Sequence, residues 1–237
     1  MGKKKKTKTR DATEDLKEGT ELYTQTLNSL KDLYADGKGA WTDADEETFE
    51  GIDTVVKGIT ASVYGEITMQ GVSKVIAKFR EAFNKPNAVF YDLGCGLGRM
   101  VGQVALLTNV TRSIGVELCP NRYAAAKKLA DSAFFPAAKP EFIEGNFLDQ
   151  DYSDATIVYI DNTMYNKDVL QRLLGLLPDE CIIIYQAGWL HDNAIAFPIE
   201  TTYNSKLDPK DATEEHDRLF IYISTHAAWR PVKGFEF

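Results

Sequence analysis

The chain has 237 residues, 44% of them hydrophobic and 26% charged, the proportions of one medium globular domain with room for a small extension. No apolar run is long enough to cross a bilayer, and three scattered cysteines and three histidines without ligand spacing argue against a disulfide framework, a zinc site or a catalytic metal. The net charge is −8, but Lys3, Lys4, Lys5, Lys6, Lys8 and Arg10 supply six of the 27 basic side chains; without them the balance is 21 against 35, so an acidic body that repels bare nucleic acid and attracts basic partners carries a basic tail.

Residues 1–10, MGKKKKTKTR, have almost nothing apolar to bury and are expected to be a disordered basic tail. Residues 11–61 are expected to form a short helical N-terminal extension. Leu16, Leu22, Leu27, Leu30, Leu33 and Tyr34 favour one helix, the polar stretch ADGKGAWTDADEE connects, and Phe49, Ile52, Val55, Val56 and Ile59 repeat at helical spacing. The main domain is expected over 62–237. After SVYG, a helix carries Val72, Val75, Ile76, Phe79 and Phe83 on one face and stops near Asn84-Lys85-Pro86.

Beyond Pro86 the rhythm changes. AVFYDLG, SIGVEL, PEFIEG, ATIVYID and CIIIYQA are short apolar runs, most of them separated by the helix-length segments GRMVGQVALL, PNRYAAAKKLADSAF and NKDVLQRLLGLL. Continuous apolar strands alternating with helices predict a parallel sheet covered on both faces. AFPIETTYN and RLFIYIST flank a polar loop with no helix between them, which predicts a closing antiparallel hairpin. The expected architecture is therefore α/β and Rossmann-like, with a seven-stranded, mostly parallel sheet ending in that hairpin. This layout resembles the class I methyltransferase fold.

The first strand runs into FYDLGCGLGR. Gly94, Gly96 and Gly98 give G-x-G-x-G, not the G-x-G-x-x-G of a dinucleotide-binding turn. Asp92 before them would disfavour a pyrophosphate but suits the ammonium of S-adenosylmethionine, whose sulfonium is itself positive. Glycines let the backbone approach such a ligand without Cβ atoms in the way. Glu117 ends the second strand, where a carboxylate accepts hydrogen bonds from ribose hydroxyls. Asn146, after the third strand, is placed to accept from an adenine amino group, and Phe147 to cover the ring. Arg99 either reaches the cofactor carboxylate or points to solvent. The fourth strand ends Asp161-Asn162-Thr163-Met164-Tyr165, without the [DN]-P-P-[YF] motif that grips a planar nitrogen, which argues against adenine or glutamine as methyl acceptor.

One helix before the first strand stands Tyr64-Gly65-Glu66-Ile67-Thr68. Together with Asp92 to Gly98, Gly115-Val116-Glu117, Gly145-Asn146-Phe147-Leu148 and Ile160-Asp161-Asn162, it resembles the non-SET histone-lysine methyltransferases of the disruptor-of-telomeric-silencing type. The resemblance covers roughly Ser62 to Ala187. It implies that Tyr64, Glu66 and Thr68 line the methionyl end of S-adenosylmethionine and close over it. It also implies that Asn162 sits at the mouth of a lysine channel, where its amide and the Tyr64 ring orient the amine; Met164 and Tyr165 line that channel or belong to the core. Asp161 stands where the family commonly has asparagine, and Thr163 where it has an aromatic residue.

The implied activity is methylation of a protein lysine, on a basic substrate such as a nucleosome core histone. Another protein, a small amine, or a non-catalytic cofactor-binding scaffold are the alternatives. Lys3, Lys4, Lys5 and Lys6 are suited to DNA phosphates, to a nuclear-import signal, or simply to solubility. The histone alternative implies a nuclear protein, the others a cytoplasmic one, and no membrane association is expected.

Overall fold

The computed structural model describes residues 69–132, 138–162 and 167–185, together with residues 21, 24–26, 28, 29, 67, 135 and 165 and the backbone of 195–198 and 218–223. The expected basic tail lies outside the described residues, as does most of the N-terminal extension. Within the latter, residues 21, 24–26, 28 and 29 are helical.

The described domain begins with α1, Met69–Lys78, whose Val72, Val75 and Ile76 are buried. Phe79 breaks the helix with a non-helical backbone, and a short turn, Arg80–Phe83, carries the chain to Asn84. The expected apolar stripe is therefore real, but it is divided between two helical pieces; Phe79 and Phe83 remain buried.

Five strands follow: β1 Val89–Leu93, β2 Arg112–Glu117, β3 Glu141–Glu144, β4 Ile157–Ile160 and β5 Ile182–Tyr185. They pair in the order β3-β2-β1-β4-β5, every pair parallel. The connecting helices are α2 Arg99–Leu107, α3 Pro120–Ser132 and α4 Lys167–Leu176. Among the described residues, no helix is long and apolar enough to cross a membrane.

Strand side chains alternate between two cores, which is why the strands read as continuous apolar runs rather than alternating ones. Phe90, Ile157, Tyr159, Ile182 and Ile184 pack with Val72, Val75 and Ile76 of α1 and with Met100 and Val104 of α2. Tyr91, Leu93, Val158, Ile160, Ile183 and Tyr185 face the other way, against Val169, Leu170, Leu173 and Leu174 of α4. Only β3 departs from this pattern. It lies at the sheet edge with both glutamates exposed, and Glu141 pairs with Arg112 at 2.8 Å. Arg112 also meets Asp154 at 2.6 Å, and Asp154 accepts from the Tyr91 hydroxyl at 2.8 Å, so a polar cluster closes the end of the sheet where these strands begin.

The order of the strands sets where a ligand can sit. Connections from β1 lead outward to β2 and β3, whereas β4 and β5 lie on the opposite side of β1. The crevice at the carboxyl ends of β1 and β4 is therefore the point where the winding reverses, the usual ligand site in open α/β sheets. Close packing holds that edge. A Cβ added to Gly115 in β2 would stand 2.6 Å from Cys95 Sγ, 2.9 Å from Cys95 Cβ and 2.9 Å from Phe142 Cδ1. Gly115→Ala is expected to lower stability by about 1–3 kcal/mol through this overpacking, read as a fall in the urea unfolding midpoint relative to the unaltered chain.

Candidate active site

Leaving β1, the chain turns through Gly94 (φ 80°) and Gly98 (φ 73°), left-handed conformations that residues with a Cβ adopt at a cost. Gly98 caps the start of α2, and a Cβ there would fall 2.3 Å from Phe142 Cε1. At Gly94 the neighbour is different: the Tyr165 hydroxyl, 3.1 Å from where a Cβ would be. The first glycine and Tyr165 thus approach closely across the top of the sheet.

Two groups at the end of β2 hold this turn. The Val116 carbonyl accepts from the N–H groups of Gly94 (2.8 Å) and Cys95 (3.0 Å). Glu117 then accepts from the Gly96 N–H through Oε2 at 2.8 Å and from the Cys119 N–H through Oε1 at 2.9 Å. Glu117 is 5% exposed, so these charge-assisted bonds lie in a low-dielectric setting. The sequence had suggested only a ribose acceptor at Glu117. Each oxygen has a further lone pair beyond the one used, so the carboxylate can clamp the turn and still accept from a ligand.

Asp92 is buried behind the turn, 4% exposed. Arg99, the first residue of α2, is also buried at 7% exposed, which removes its solvent-facing alternative. After β3, the Asn146 side chain accepts from the Leu148 N–H at 2.9 Å and so caps the 3-10 turn Phe147–Asp149. One lone pair of the expected adenine acceptor is therefore used locally. Phe147 is buried, and its ring meets the edge of Tyr165 at 5.1 Å and 80°.

Beyond β4, Asn162 has 0% exposure, and its carbonyl accepts from the Tyr165 N–H at 3.2 Å. Asp161 is half-buried. Burial first, then the carboxylates of Glu117, Asp161 and Asp92, push the Tyr165 hydroxyl above its usual titration range, while Arg122 pulls the other way. Tyr165 thus stands beside Gly94 after β1 and against Phe147 after β3. Its sequence position left it undecided between channel and core, because nothing local shows that its ring crosses to Gly94. Tyr64, Glu66, Thr68, Thr163 and Met164 lie outside the described residues. No group of three His, Cys, Asp or Glu among the described residues is placed to hold a metal ion.

Cys95, inside the glycine turn, was not singled out by the sequence. It is buried, and burial, then Asp92 and Glu117, push its thiol well above the ordinary range. Burial alone pushes Cys181 up to about 12. A raised thiol pKa keeps the unreactive protonated form at mildly alkaline pH. Iodoacetamide is therefore expected to modify neither residue in the folded protein and both in denaturant, as read by peptide mass spectrometry; rapid alkylation of native Cys95 would contradict the packing described.

Several known proteins are similar to this chain. Residues 55–185 match the family described as histone methylation protein DOT1. The H3 lysine-79 specific histone-lysine N-methyltransferase of Caenorhabditis elegans is 27% identical over 129 residues, 49% of this chain and 13% of that protein. A protein-lysine N-methyltransferase of Saccharolobus islandicus is 34% identical over 70 residues, 30% of this chain and 43% of that protein. Among solved structures, an RNA methyltransferase from Salinibacter ruber in complex with S-adenosyl-L-homocysteine aligns with a TM-score of 0.46 and 19% identity, over 73% of this chain and 99% of that one. This chain thus spans a small part of the nematode enzyme it matches. The family match nevertheless takes in more than half of the 237 residues, from the segment before α1 to the end of β5, and by it the chain belongs to the DOT1 histone methylation family.

Proposed function

We propose that the chain is an S-adenosylmethionine-dependent protein-lysine N-methyltransferase whose acceptor is a nucleosome core histone. The observation that carries this reading is the glycine turn held by Glu117, preceded by a buried Asp92 at the end of β1. Three carboxylates, those of Asp92, Glu117 and Asp161, act on the one hydroxyl standing at the first glycine. So acidic a cradle repels a pyrophosphate and suits a cationic ligand. Bound there, S-adenosylmethionine would supply a methyl group on a positively charged sulfur, open to in-line displacement by a neutral amine.

Asp92 is proposed to receive the methionyl ammonium, Glu117 the ribose hydroxyls through its remaining lone pairs, and Asn146 with Phe147 the adenine. The backbone at Gly94, Gly96 and Gly98 approaches the ligand. Arg99, buried at the helix start, is assigned to the cofactor carboxylate. Tyr64, Glu66 and Thr68 are proposed to close over the methionyl end. Asn162 is proposed at the lysine channel, where its side-chain amide orients the amine; its backbone carbonyl, not that amide, accepts from the Tyr165 N–H. The site must desolvate the lysine and align it behind the methyl group.

The sheet is inferred to continue past β5 with an antiparallel pair, β6 Ile195–Pro198 and β7 Arg218–Ile223. Backbone register pairing Ile182 with Ile223 and Ile195 with Ile221 supports this seven-stranded form. Residues 62–237 are proposed as the methyltransferase domain, with the helical extension at 11–61 and the tail at 1–10. The histone reading carries a nuclear location with it. A non-histone protein acceptor, in the cytoplasm or elsewhere, is the second reading, favoured by the 34% identity with the protein-lysine methyltransferase of Saccharolobus islandicus.

Radiolabelled methyl transfer to nucleosomes, free core histones and a cell extract tests the proposal. Label on nucleosomes is expected. Gly96→Arg should abolish it by filling the turn, and Asn162→Ala should lower it by roughly tenfold or more through loss of the amide proposed to orient the amine. Label on another protein alone would move the assignment to the second reading. Calorimetric binding of NAD in place of S-adenosylmethionine would overturn both. Lys3, Lys4, Lys5 and Lys6 are proposed to contact DNA phosphates. Deleting residues 1–10 is expected to weaken nucleosome binding most at low salt while leaving cofactor affinity unchanged; an unchanged nucleosome affinity would discard that contact.

A further inference from the structure

Val72, Val75 and Ile76 of α1 share an apolar cluster with Met100 and Val104 of α2. A polar side chain lies between these two helices. Gln103 of α2 has 0% exposure, and its Nε2 donates to the Met69 carbonyl at 2.9 Å and to the Ser73 hydroxyl at 2.8 Å. The Ser73 hydroxyl in turn donates to that same carbonyl at 2.9 Å, so the three groups close a ring on the first turn of α1. Apolar contacts can slide along a helix face. A buried amide is satisfied in one register only, because shifting it leaves its donors desolvated and unpaired.

The position of this ring along α2 matters. Gly98 caps the start of α2 at the glycine turn, and Arg99 is its first residue. Gln103 follows Arg99 by four positions, which places it on the same helix face and about 6 Å further along the axis. The start of α1 is therefore tied to α2 one turn away from the crevice. Ile67, just before α1, is buried in the same cluster as Val72 and Met100. Tyr64, Glu66 and Thr68 stand in the stretch of sequence that enters α1.

We propose that Gln103 is a positioning residue for the cofactor site. It sets the register of α1 on α2, and with it the place where the chain entering α1 meets Arg99 and the glycine turn. This rests on the methyltransferase reading above and adds to it a residue that acts through others. Wholly buried between two helices, Gln103 works through the groups it places and not on the ligand.

Calorimetry with S-adenosyl-L-homocysteine on the unaltered chain, Gln103→Met and Ser73→Ala tests this role. Methionine keeps the length and volume of the buried side chain but donates no hydrogen bond, so the dissociation constant is expected to rise roughly tenfold with unchanged stoichiometry. Ser73 is exposed, and Ser73→Ala removes one of the acceptors of Gln103, which should raise the constant roughly threefold. In radiolabelled transfer to nucleosomes, KM for S-adenosylmethionine should rise in both variants while KM for the nucleosome stays within about twofold. A residue that serves packing alone would lower the binding-competent fraction and leave the dissociation constant as it was; that result in Gln103→Met would overturn the assignment. Should Gln103→Met fail to fold, Ser73→Ala decides, and an unchanged constant there overturns it equally. If the unaltered chain binds neither S-adenosyl-L-homocysteine nor S-adenosylmethionine, the methyltransferase reading falls and takes the assignment with it.

Discussion

One carboxylate organises the top of this sheet. Glu117 ends β2 and spends its two oxygens on backbone N–H groups of two different segments, Gly96 in the turn after β1 and Cys119 at the entry to α3. Together with the Val116 carbonyl, which takes the N–H groups of Gly94 and Cys95, it fixes the turn at three points. A glycine-rich turn has much conformational entropy to lose, and buried charge-assisted hydrogen bonds are among the few local interactions strong enough to hold it in one shape. The shape of the turn is thus held by hydrogen bonds of the chain itself.

The rest of the edge is built outward from that clamp. Gly98 must be glycine because the Phe142 ring from the neighbouring edge strand fills the space beside it, and Gly115 because the turn itself presses on β2 through Cys95. Phe147 packs on Tyr165, and Tyr165 reaches Gly94, so the loops after β3 and β4 lean on the loop after β1. Below this edge the sheet is covered on both faces by apolar side chains. That cover excludes water and makes the few polar groups at the strand ends matter electrostatically. Among the described residues, Asp92, Glu117 and Asp161 stand at these strand ends, in keeping with the acidic body of the chain.

Much of this was legible in the order of residues. The five apolar runs became the five parallel strands, and the helical stripe before Pro86 was buried as its spacing required, although Phe79 split the helix in two. Asp92, the three glycines, Glu117, Asn146 and Phe147 all lie at the carboxyl edge of the sheet, because in a parallel sheet every strand-end motif is delivered to the same side. What was not legible was how these residues bond to one another. Asn146 had been assigned to a ligand, and its side chain also caps its own 3-10 turn. Arg99 reads in sequence as facing either ligand or solvent, and it is buried.

By itself the sequence determined the kind of sheet, the identity of the turn and the family, because each is written in spacing along the chain: apolar periodicity, glycine interval, motif order. Tertiary packing alone decided three further things. It joined Gly96 to Glu117 across 21 positions, brought the Tyr165 hydroxyl over Gly94, and buried Asn162 while leaving Asp161 partly open. Spacing constrains neighbours in the chain, whereas exposure and hydrogen-bond partners are set by whatever the fold brings from elsewhere. Whether a polar residue at a strand end is buried or open depends on what the fold packs against it, which its neighbours in the chain do not set.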